Sequence, residues 1–226
     1  MNLVLHYGDL VMIPKILHYI WLGGNKSDLI NKCVSSMHTY LKDYQIIEWN
    51  ENNIDTNEFN STLKAFYKKC YDSKKYAFCA AIARLYILKK YGGIFVDADV
   101  EFIKDIPDNI LEMPFVSVDR VNKWIEPNCI WGCCKEDRLV NSLIKWFSNT
   151  LNTSCDSYGK RWDFSMLMAR FFLALGCDIT GKYTTKFFDY MVYSDKYFCP
   201  KIEGQDDIKI TDKTISIHHF CGTWRR

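Results

Sequence analysis

Two carboxylates, Asp97 and Asp99, directly follow the short apolar run at residues 94–96. In an extended chain, residues i and i+2 point to the same side, so both side chains can converge on one target beyond the strand. Two like charges this close repel each other unless a cation lies beside them. A hard divalent ion, with phosphate oxygens completing its coordination shell, would relieve that repulsion. The pattern predicts a divalent-metal site, and its plain alternative is a solvated Asp-x-Asp turn.

A helix with one unusual residue precedes this acidic strand end. Residues 76–90 are helix-forming and apolar almost all round, which predicts a helix packed in the core. Arg84 lies inside it, and a buried guanidinium without a partner is strongly destabilising, so Arg84 must meet an anion or a solvated cleft. Gly92 and Gly93 end the helix. This context favours a functional interpretation of the acidic pair over a solvated turn.

Two other uses of an Asp-x-Asp motif can be tested on the residues themselves. A calcium loop of the EF-hand type that starts at Asp97 needs Gly at its sixth position and Glu at its twelfth, where this chain has Phe102 and Asp108, so that use is excluded. A phosphatase with an aspartyl nucleophile also begins with a strand that ends in Asp-x-Asp. That family has Thr or Val where this chain has Glu101. The phosphatase therefore stays a weak runner-up.

The elements that must position these residues follow an alternating pattern. Residues 15–21 predict a buried strand that ends at Gly23-Gly24, residues 28–41 predict an amphipathic helix, and residues 44–49 predict a second strand. Such a βαβ unit implies a parallel sheet, in which ligands bind beyond the carboxyl ends of the strands. The remaining predicted elements are strands near 94–96, 115–118, 129–134 and 214–218, and helices near 138–151 and 164–175.

Length and charge limit the class of protein. A chain of 226 residues can form one large domain or two small ones, and no linker separates two halves, so we predict a single domain over residues 1–226. Residues 135–200 are predicted to form a helical cap, and residues 1–11 an N-terminal extension. The 29 Lys and Arg against 27 Asp and Glu leave a net charge of +2, which does not favour a nucleic-acid partner.

The cysteines and the absence of long apolar runs bear on location. Ten Cys residues occur without any Cys-x-x-Cys pair, mostly within apolar runs where a reduced thiol behaves as a small hydrophobe. We expect a reducing compartment. No stretch reaches the roughly 18 apolar residues of a membrane span, and the N-terminus does not resemble a secretion signal. The expectation is a cytoplasmic protein without a transmembrane segment, with peripheral membrane association left open.

Four separated segments carry a family resemblance: residues 13–24, 75–85, 91–101 and 218–224. Together they resemble the glycosyltransferases with a DXD motif that are related to capsular polysaccharide synthesis and to the yeast alpha-mannosyltransferases, a group similar to glycosyltransferase family 32. The resemblance implies a GT-A fold, which is an α/β fold with a Rossmann-like, mainly parallel central sheet flanked by helices. It also implies a retaining hexosyltransferase that moves a sugar from a nucleotide-sugar donor, UDP- or GDP-linked, to a carbohydrate or other hydroxyl acceptor. The resemblance further implies a divalent ion, Mn²⁺ or Mg²⁺, and a role in capsular or surface polysaccharide synthesis.

The resemblance also implies roles for single residues near the donor. Trp21 resembles the aromatic residue that stacks on the base, and its alternative is a core Trp at a strand end. Arg84 resembles the helix arginine that reaches the donor. Asp97 resembles the carboxylate on the ribose and sugar side. Asp99 resembles the direct metal ligand.

The C-terminal segment is the last part of the implied site. In an extended strand His218 and His219 face opposite sides, so only one of them can face the metal without distortion. We choose His219, because its spacing to Gly222 resembles a His-x-x-Gly metal motif of related transferases. For His218, the alternative to a functional role is a half-buried residue at a sheet edge. By the same resemblance, the Thr223 hydroxyl is expected to donate to phosphate and Trp224 to wall the donor pocket.

One departure from the family pattern affects the pocket itself. The family carries an Asp three residues before the helix arginine, on the same helix face, and this chain has Ala81 there. Glu101, Asp119 or Asp163 could take over that carboxylate's contacts from elsewhere in the chain. The alternative is a catalytically weakened module that binds a nucleotide sugar without turnover.

Overall fold

A computed structural model describes residues 12–119, 125–152, 164–174, 176–177 and 184–222. The strands of the described part are β1 Ile16–Ile20, β2 Gln45–Trp49, β3 Gly93–Phe95, β4 Val100–Phe102, β5 Phe115–Ser117, β6 Trp131–Cys133, β7 Thr185–Phe187, β8 Tyr190–Tyr193 and β9 Ser216–His218. The helices are α1 Asp28–Tyr40, α2 Ser61–Asp72, α3 Tyr76–Tyr91, α4 Arg138–Asn152, α5 Phe164–Ala174 and α6 Asp195–Phe198.

The central sheet has the strand order β2-β1-β3-β6-β5-β8-β7 over the described residues. Strands β2, β1, β3, β5 and β8 run in one direction, and β6 and β7 run antiparallel to their neighbours. The predicted α/β class with a mainly parallel sheet is therefore confirmed. A separate two-stranded sheet pairs β4 with β9, which joins the middle of the sequence to its C-terminal part.

The predicted βαβ opening is present as β1, α1 and β2. Helix α1 begins after Ser27, whose side chain accepts a hydrogen bond from the Ile30 amide and so caps the first turn. Strand β1 lies between β2 and β3 and runs parallel to both. The carboxyl ends of these three strands therefore meet at one edge of the sheet.

Helix α3 is buried along most of its length, as its apolar composition predicts. It ends at Gly92, which has a φ of 63°, and Gly93 follows with a φ of 88°. A Cβ at Gly92 would lie 2.6 Å from the Lys135 amide nitrogen, and one at Gly93 would lie 2.6 Å from the Ile16 carbonyl oxygen. Glycine is therefore required at both positions for β3 to leave the helix and pair with β1.

The core lies on both faces of the central sheet. Consecutive residues of β3 and its extension alternate between two hydrophobic clusters: Ile94 and Val96 enter one and Phe95 enters the other. The cluster around Phe95 includes residues of α2, α3 and α4. The cluster around Ile94 includes residues of α1, β4 and α6. Helices thus cover one face, and a helix together with the small sheet covers the other.

The structure contains several elements that the sequence analysis did not predict. These are α2, β4, β7, β8 and α6. The predicted cap region, residues 135–200, contains α4 and α5 but also β7 and β8, and β8 pairs with β5 in the central sheet. Residues 1–11 lie outside the described residues. Among the helices that are described, none combines the length and apolar character needed to cross a membrane.

Candidate active site

The acidic pair lies in a turn between the central sheet and the small sheet. Asp97 follows β3, Asp99 precedes β4, and the Val100 amide donates to the Asp97 carbonyl oxygen at 3.1 Å. Val100 is in turn the register partner of His218 on β9. The antiparallel β4–β9 pairing therefore brings the C-terminal histidines to the two carboxylates, although more than a hundred residues separate them in sequence.

Arg84 meets the anion that its burial requires. Its side chain is only 2% exposed, and its terminal nitrogens donate to Asp97 Oδ1 at 2.6 Å and to Asn128 Oδ1 at 2.5 Å. The guanidinium carbon lies 4.4 Å from the centre of the Phe95 ring. The helix arginine, the aromatic residue of β3 and the first carboxylate therefore form one packed unit. In this arrangement Arg84 holds Asp97 in place, and a direct contact with a donor stays a prediction.

The structure places His218, and not His219, beside the acidic pair. Nε2 of His218 lies 3.2 Å from Asp99 Oδ1, and one ligand-type atom from each of Asp97, Asp99 and His218 falls within 4.8 Å of the others. Nε2 of His219 instead lies 2.8 Å from Glu101 Oε2. The two imidazoles contact different carboxylates, and the one beside the acidic pair is the one that the spacing argument set aside.

Burial and charge pairing shape the protonation of the site. Burial opposes the charged form of Asp99, but the His218 imidazole and the Cys221 amide outweigh it and hold the pKa of Asp99 well below its usual range. Burial likewise opposes the charge on His218, but the Asp99 carboxylate outweighs it and raises the pKa of His218 well above its usual range. The pKa of Asp97 is raised by burial and by the Asp99 charge against the lowering effect of Arg84.

The chain after β9 is tied to the acidic turn by backbone contacts. The Cys221 amide donates to Asp99 Oδ2 at 2.8 Å, and the His219 amide donates to the Asp99 carbonyl oxygen at 3.1 Å. Glu101 connects this segment to α1, because it pairs with Lys32 at 2.8 Å as well as with His219. The segment that leads to Thr223 and Trp224 is therefore anchored at the site, while those two residues lie outside the described part of the chain.

Trp21 lies in the loop at the carboxyl end of β1, next to the end of β3. Its side chain is half-buried, and its indole nitrogen donates to the Gly24 carbonyl oxygen at 2.8 Å. Gly23 has a φ of 83°, and its amide donates to Glu51 at 2.8 Å. A Cβ at Gly23 would lie 2.1 Å from the Tyr76 ring, so only glycine fits there. The loop is ordered at the predicted edge of the sheet, and the base-stacking role of Trp21 stays a prediction.

Two residues of this site were missed by the sequence analysis. Asn128 accepts from Arg84, and Glu126, which is buried, accepts from the Asn128 amide at 3.2 Å. Both precede β6, which runs antiparallel to β3, so the start of β6 lies at the carboxyl end of β3. A polar Glu-Pro-Asn sequence just before an apolar strand was the available signal. It becomes informative only once the direction of β6 is known.

Ala81 occupies the position of the helix carboxylate in the family pattern, and three other acids were considered as its replacement. Glu101 is engaged by Lys32 and His219, on the side of α1. Asp119 is buried just beyond β5. Asp163 lies outside the described residues. The replacement role proposed for these three acids stays untested.

Comparison with known proteins finds a family model similar to part of the chain. Residues 27–117 match the model of a family described as the glycosyltransferase sugar-binding region containing a DXD motif. That segment includes Arg84, Asp97 and Asp99, and over it the chain is similar to this family, in agreement with the resemblance seen in the sequence.

Two curated relatives show a similarity of the same kind. The chain is 33% identical over 92 residues to inositol phosphoceramide mannosyltransferase 3 of Schizosaccharomyces pombe and 31% identical over 104 residues to a glycosyltransferase of Acanthamoeba polyphaga mimivirus. These matches cover 39% and 43% of this chain. They span only 24% and 39% of the length of those relatives.

Solved structures establish the fold. The PaToxG glycosyltransferase superposes with a TM-score of 0.60 at 17% identity, covering 73% of this chain and 70% of that one. The UDP-bound glycosyltransferase domain from the YGT toxin superposes with a TM-score of 0.51 at 11% identity, covering 62% of each chain. At these identities the likeness concerns the fold alone, and the predicted GT-A fold is confirmed.

Proposed function

We propose that this protein is a metal-dependent, retaining glycosyltransferase that moves a hexose from a nucleotide-sugar donor to a hydroxyl acceptor. The observation that carries the proposal is the cluster of Asp97, Asp99 and His218 beside buried Arg84, at the carboxyl edge of a GT-A sheet. This edge is where open α/β sheets bind their ligands. The family segment at residues 27–117 supplies three of these four residues.

The donor set at this edge fits a hard divalent ion. Asp97 and Asp99 offer carboxylate oxygens, which Mn²⁺ and Mg²⁺ prefer, and their ligand atoms lie close enough together to share one ion. We assign these two carboxylates as the residues that would hold it. When bound, the ion would supply positive charge to the departing nucleoside diphosphate. His218 and the Cys221 amide hold Asp99 from its other side.

The chain's own residues orient the reacting groups. Arg84 and Asn128 fix the direction of Asp97, so that its carboxylate does not need to reorganise when the donor arrives. Retention of configuration corresponds to attack of the acceptor hydroxyl on the face that the diphosphate leaves. In that scheme the bond from the anomeric carbon to the phosphate oxygen breaks, the bond to the acceptor oxygen forms, and the acceptor proton passes to the leaving phosphate.

The relatives suggest which donors and acceptors to test. One fold neighbour is UDP-bound, and one relative is named an inositol phosphoceramide mannosyltransferase. We therefore propose UDP-sugars and GDP-mannose as candidate donors and a carbohydrate hydroxyl as the acceptor. A role in capsular or surface polysaccharide synthesis rests on the family resemblance.

The test compares the wild-type chain with two matched variants. Asp99→Asn removes one carboxylate charge at the site, and Asp72→Asn removes one from an exposed position on α2. We expect Mn²⁺ plus a matching donor to raise the melting temperature of wild type and Asp72→Asn but not of Asp99→Asn. Manganese-dependent release of nucleoside diphosphate should follow the same pattern, and NMR of the glycoside should show the anomeric configuration of the donor. Full activity of Asp99→Asn, or of wild type without a divalent ion, would refute the proposal.

Ala81 favours one second candidate, a module that binds a nucleotide sugar without turnover. Calorimetry with donor and manganese, followed by an assay for released diphosphate, separates the two functions. Binding without release supports the module. The variant Ala81→Asp restores the family's carboxylate on the helix face of Arg84, and it should restore diphosphate release if the missing carboxylate is the cause.

A further inference from the structure

A second cluster of metal-type ligands shares His218 with the acidic site and adds two thiols that the proposed reaction does not use. It consists of the thiols of Cys129 and Cys199 and the imidazole of His218. One ligand atom from each falls within 4.8 Å of the other two, and all three residues are at least 95% buried. Cys129 precedes β6, Cys199 follows α6 and His218 ends β9. Three elements that are distant in sequence therefore bring two thiols and one imidazole to a single buried point.

The two nitrogens of His218 face different partners. Nε2 lies 3.2 Å from Asp99 Oδ1. Nδ1 is buried and makes no hydrogen bond of ordinary geometry among the described residues, and the Cys199 thiol is the group that interacts with His218 on the side away from Asp99. A buried polar atom without a partner costs about 1–3 kcal/mol, so such atoms are rare unless a ligand or ion completes the site. In the neutral ring with its proton on Nε2, Nδ1 offers a lone pair on the cysteine side, where an ion could accept it.

We propose that Cys129, Cys199 and Nδ1 of His218 bind a zinc ion. Two thiolates and an imidazole are a typical zinc donor set, whereas Mn²⁺ and Mg²⁺ prefer the oxygens of the acidic pair. The Phe198 carbonyl oxygen, 3.0 Å from the Cys129 sulfur, is a candidate fourth donor. The two thiolates would neutralise the ion, as burial requires. Binding releases the thiol protons, and any proton on Nδ1, to solvent.

The proposed zinc site would act on the acidic pair through His218. With zinc on Nδ1, Nε2 carries the proton and donates to Asp99, which is the carboxylate–histidine–zinc arrangement that fixes the orientation of a ligating imidazole. His218 then serves as a positioning residue for Asp99 and is no longer available to a second ion. The zinc would also cross-link β6, α6 and β9 in the core, as a disulfide cross-links two segments of a chain.

The test uses the full chain, purified under reducing conditions from a zinc-containing medium. We expect about one zinc ion per chain by mass spectrometry, and a lower melting temperature after removal of zinc with a chelator. Replacement of zinc by Co²⁺ should give the intense near-ultraviolet absorption of a cobalt–thiolate bond. This spectrum is recorded on the wild-type chain, so it does not depend on whether a cysteine variant folds.

Matched cysteine variants locate the site. Cys129→Ser and Cys199→Ser should lose the zinc and the cobalt–thiolate absorption. Cys70→Ser, which changes a buried free thiol on α2, should keep both. Wild-type protein without zinc, a cobalt spectrum without thiolate absorption, or a disulfide between Cys129 and Cys199 would each overturn the proposal. None of these readouts depends on donor turnover, so this proposal and the proposed function can fail separately.

Discussion

Lowering the pH from 7 to 5 should destabilise this fold through His18, a fully buried imidazole in β1. Its Nε2 lies 2.9 Å from the Gly92 carbonyl oxygen, which can only accept, and its Nδ1 lies 3.1 Å from the indole nitrogen of Trp49, which can only donate. The ring is therefore neutral, with its proton on Nε2. A second proton on Nδ1 would face the indole N–H and would break that hydrogen bond.

The size of the effect follows from the shift in pKa. Burial lowers the pKa of His18 to about 4, against the ordinary value near 6.5 in the unfolded chain. The unfolded state therefore binds the proton more readily, and the stability that neutral His18 contributes is lost as the pH falls from about 6.5 through 4. The loss is about 2 kcal/mol between pH 7 and pH 5 and approaches about 3 kcal/mol below pH 4, from the 1.36 kcal/mol per pKa unit.

The assay is urea unfolding at pH 7, 6 and 5, with the free energy of unfolding extrapolated to zero denaturant. Because other groups titrate in this range, the informative quantity is the difference between variants. His18→Gln should be less stable than wild type at pH 7 but should lose about 2 kcal/mol less between pH 7 and pH 5. His38→Gln removes an exposed imidazole on α1 and should follow wild type. An equal loss in His18→Gln and wild type, or an NMR titration of His18 near 6.5, would refute the reasoning.

Three further changes test how the core and the site are held. Gly132→Ala places a Cβ 2.2 Å from the ring of buried Phe115 and should lower the free energy of unfolding by about 1–3 kcal/mol, measured in urea. Asp137→Ala removes the side-chain oxygen that accepts from the first amides of α4 and should cost about 1–2 kcal/mol, whereas Asp137→Asn should cost less. Arg84→Met leaves Asp97 without its cation and should cost about 2 kcal/mol, since Asp97 is 37% exposed, and adding Asp97→Asn should recover part of that loss in a double-mutant cycle.

The parts of the fold that short-range patterns determine were predictable. The strand at β1, the amphipathic helix α1 and the strand β2 follow from apolar spacing and from the glycines that end β1. Helix α3 follows from its uninterrupted apolar composition, and the acidic turn follows from the abrupt change in polarity after β3. Helix α2 was missed although its buried residues Leu63, Tyr67 and Cys70 recur at helical spacing.

The parts that depend on long-range pairing were not predictable. Alternation along a strand shows that His218 and His219 face opposite sides, but the register of β9 against β4 decides which of them reaches Asp99. The same holds for Asn128, because its contact with Arg84 requires β6 to run antiparallel to β3. No local feature of the sequence specifies either pairing.

The charge pairs of the site modify the argument that two close carboxylates need an ion between them. Each carboxylate has its own nitrogen partner in the protein, the Arg84 guanidinium for Asp97 and the His218 imidazole for Asp99, so the acidic turn can form before any ion arrives at the pair. The two pairs differ in access, because the Asp97 side chain is 37% exposed and that of Asp99 is 10% exposed. An incoming ion would therefore approach through Asp97, while His218 and the Cys221 amide hold Asp99 in place from the core side. Metal binding in this arrangement depends on the rigidity of the core behind Asp99 as much as on the two carboxylates.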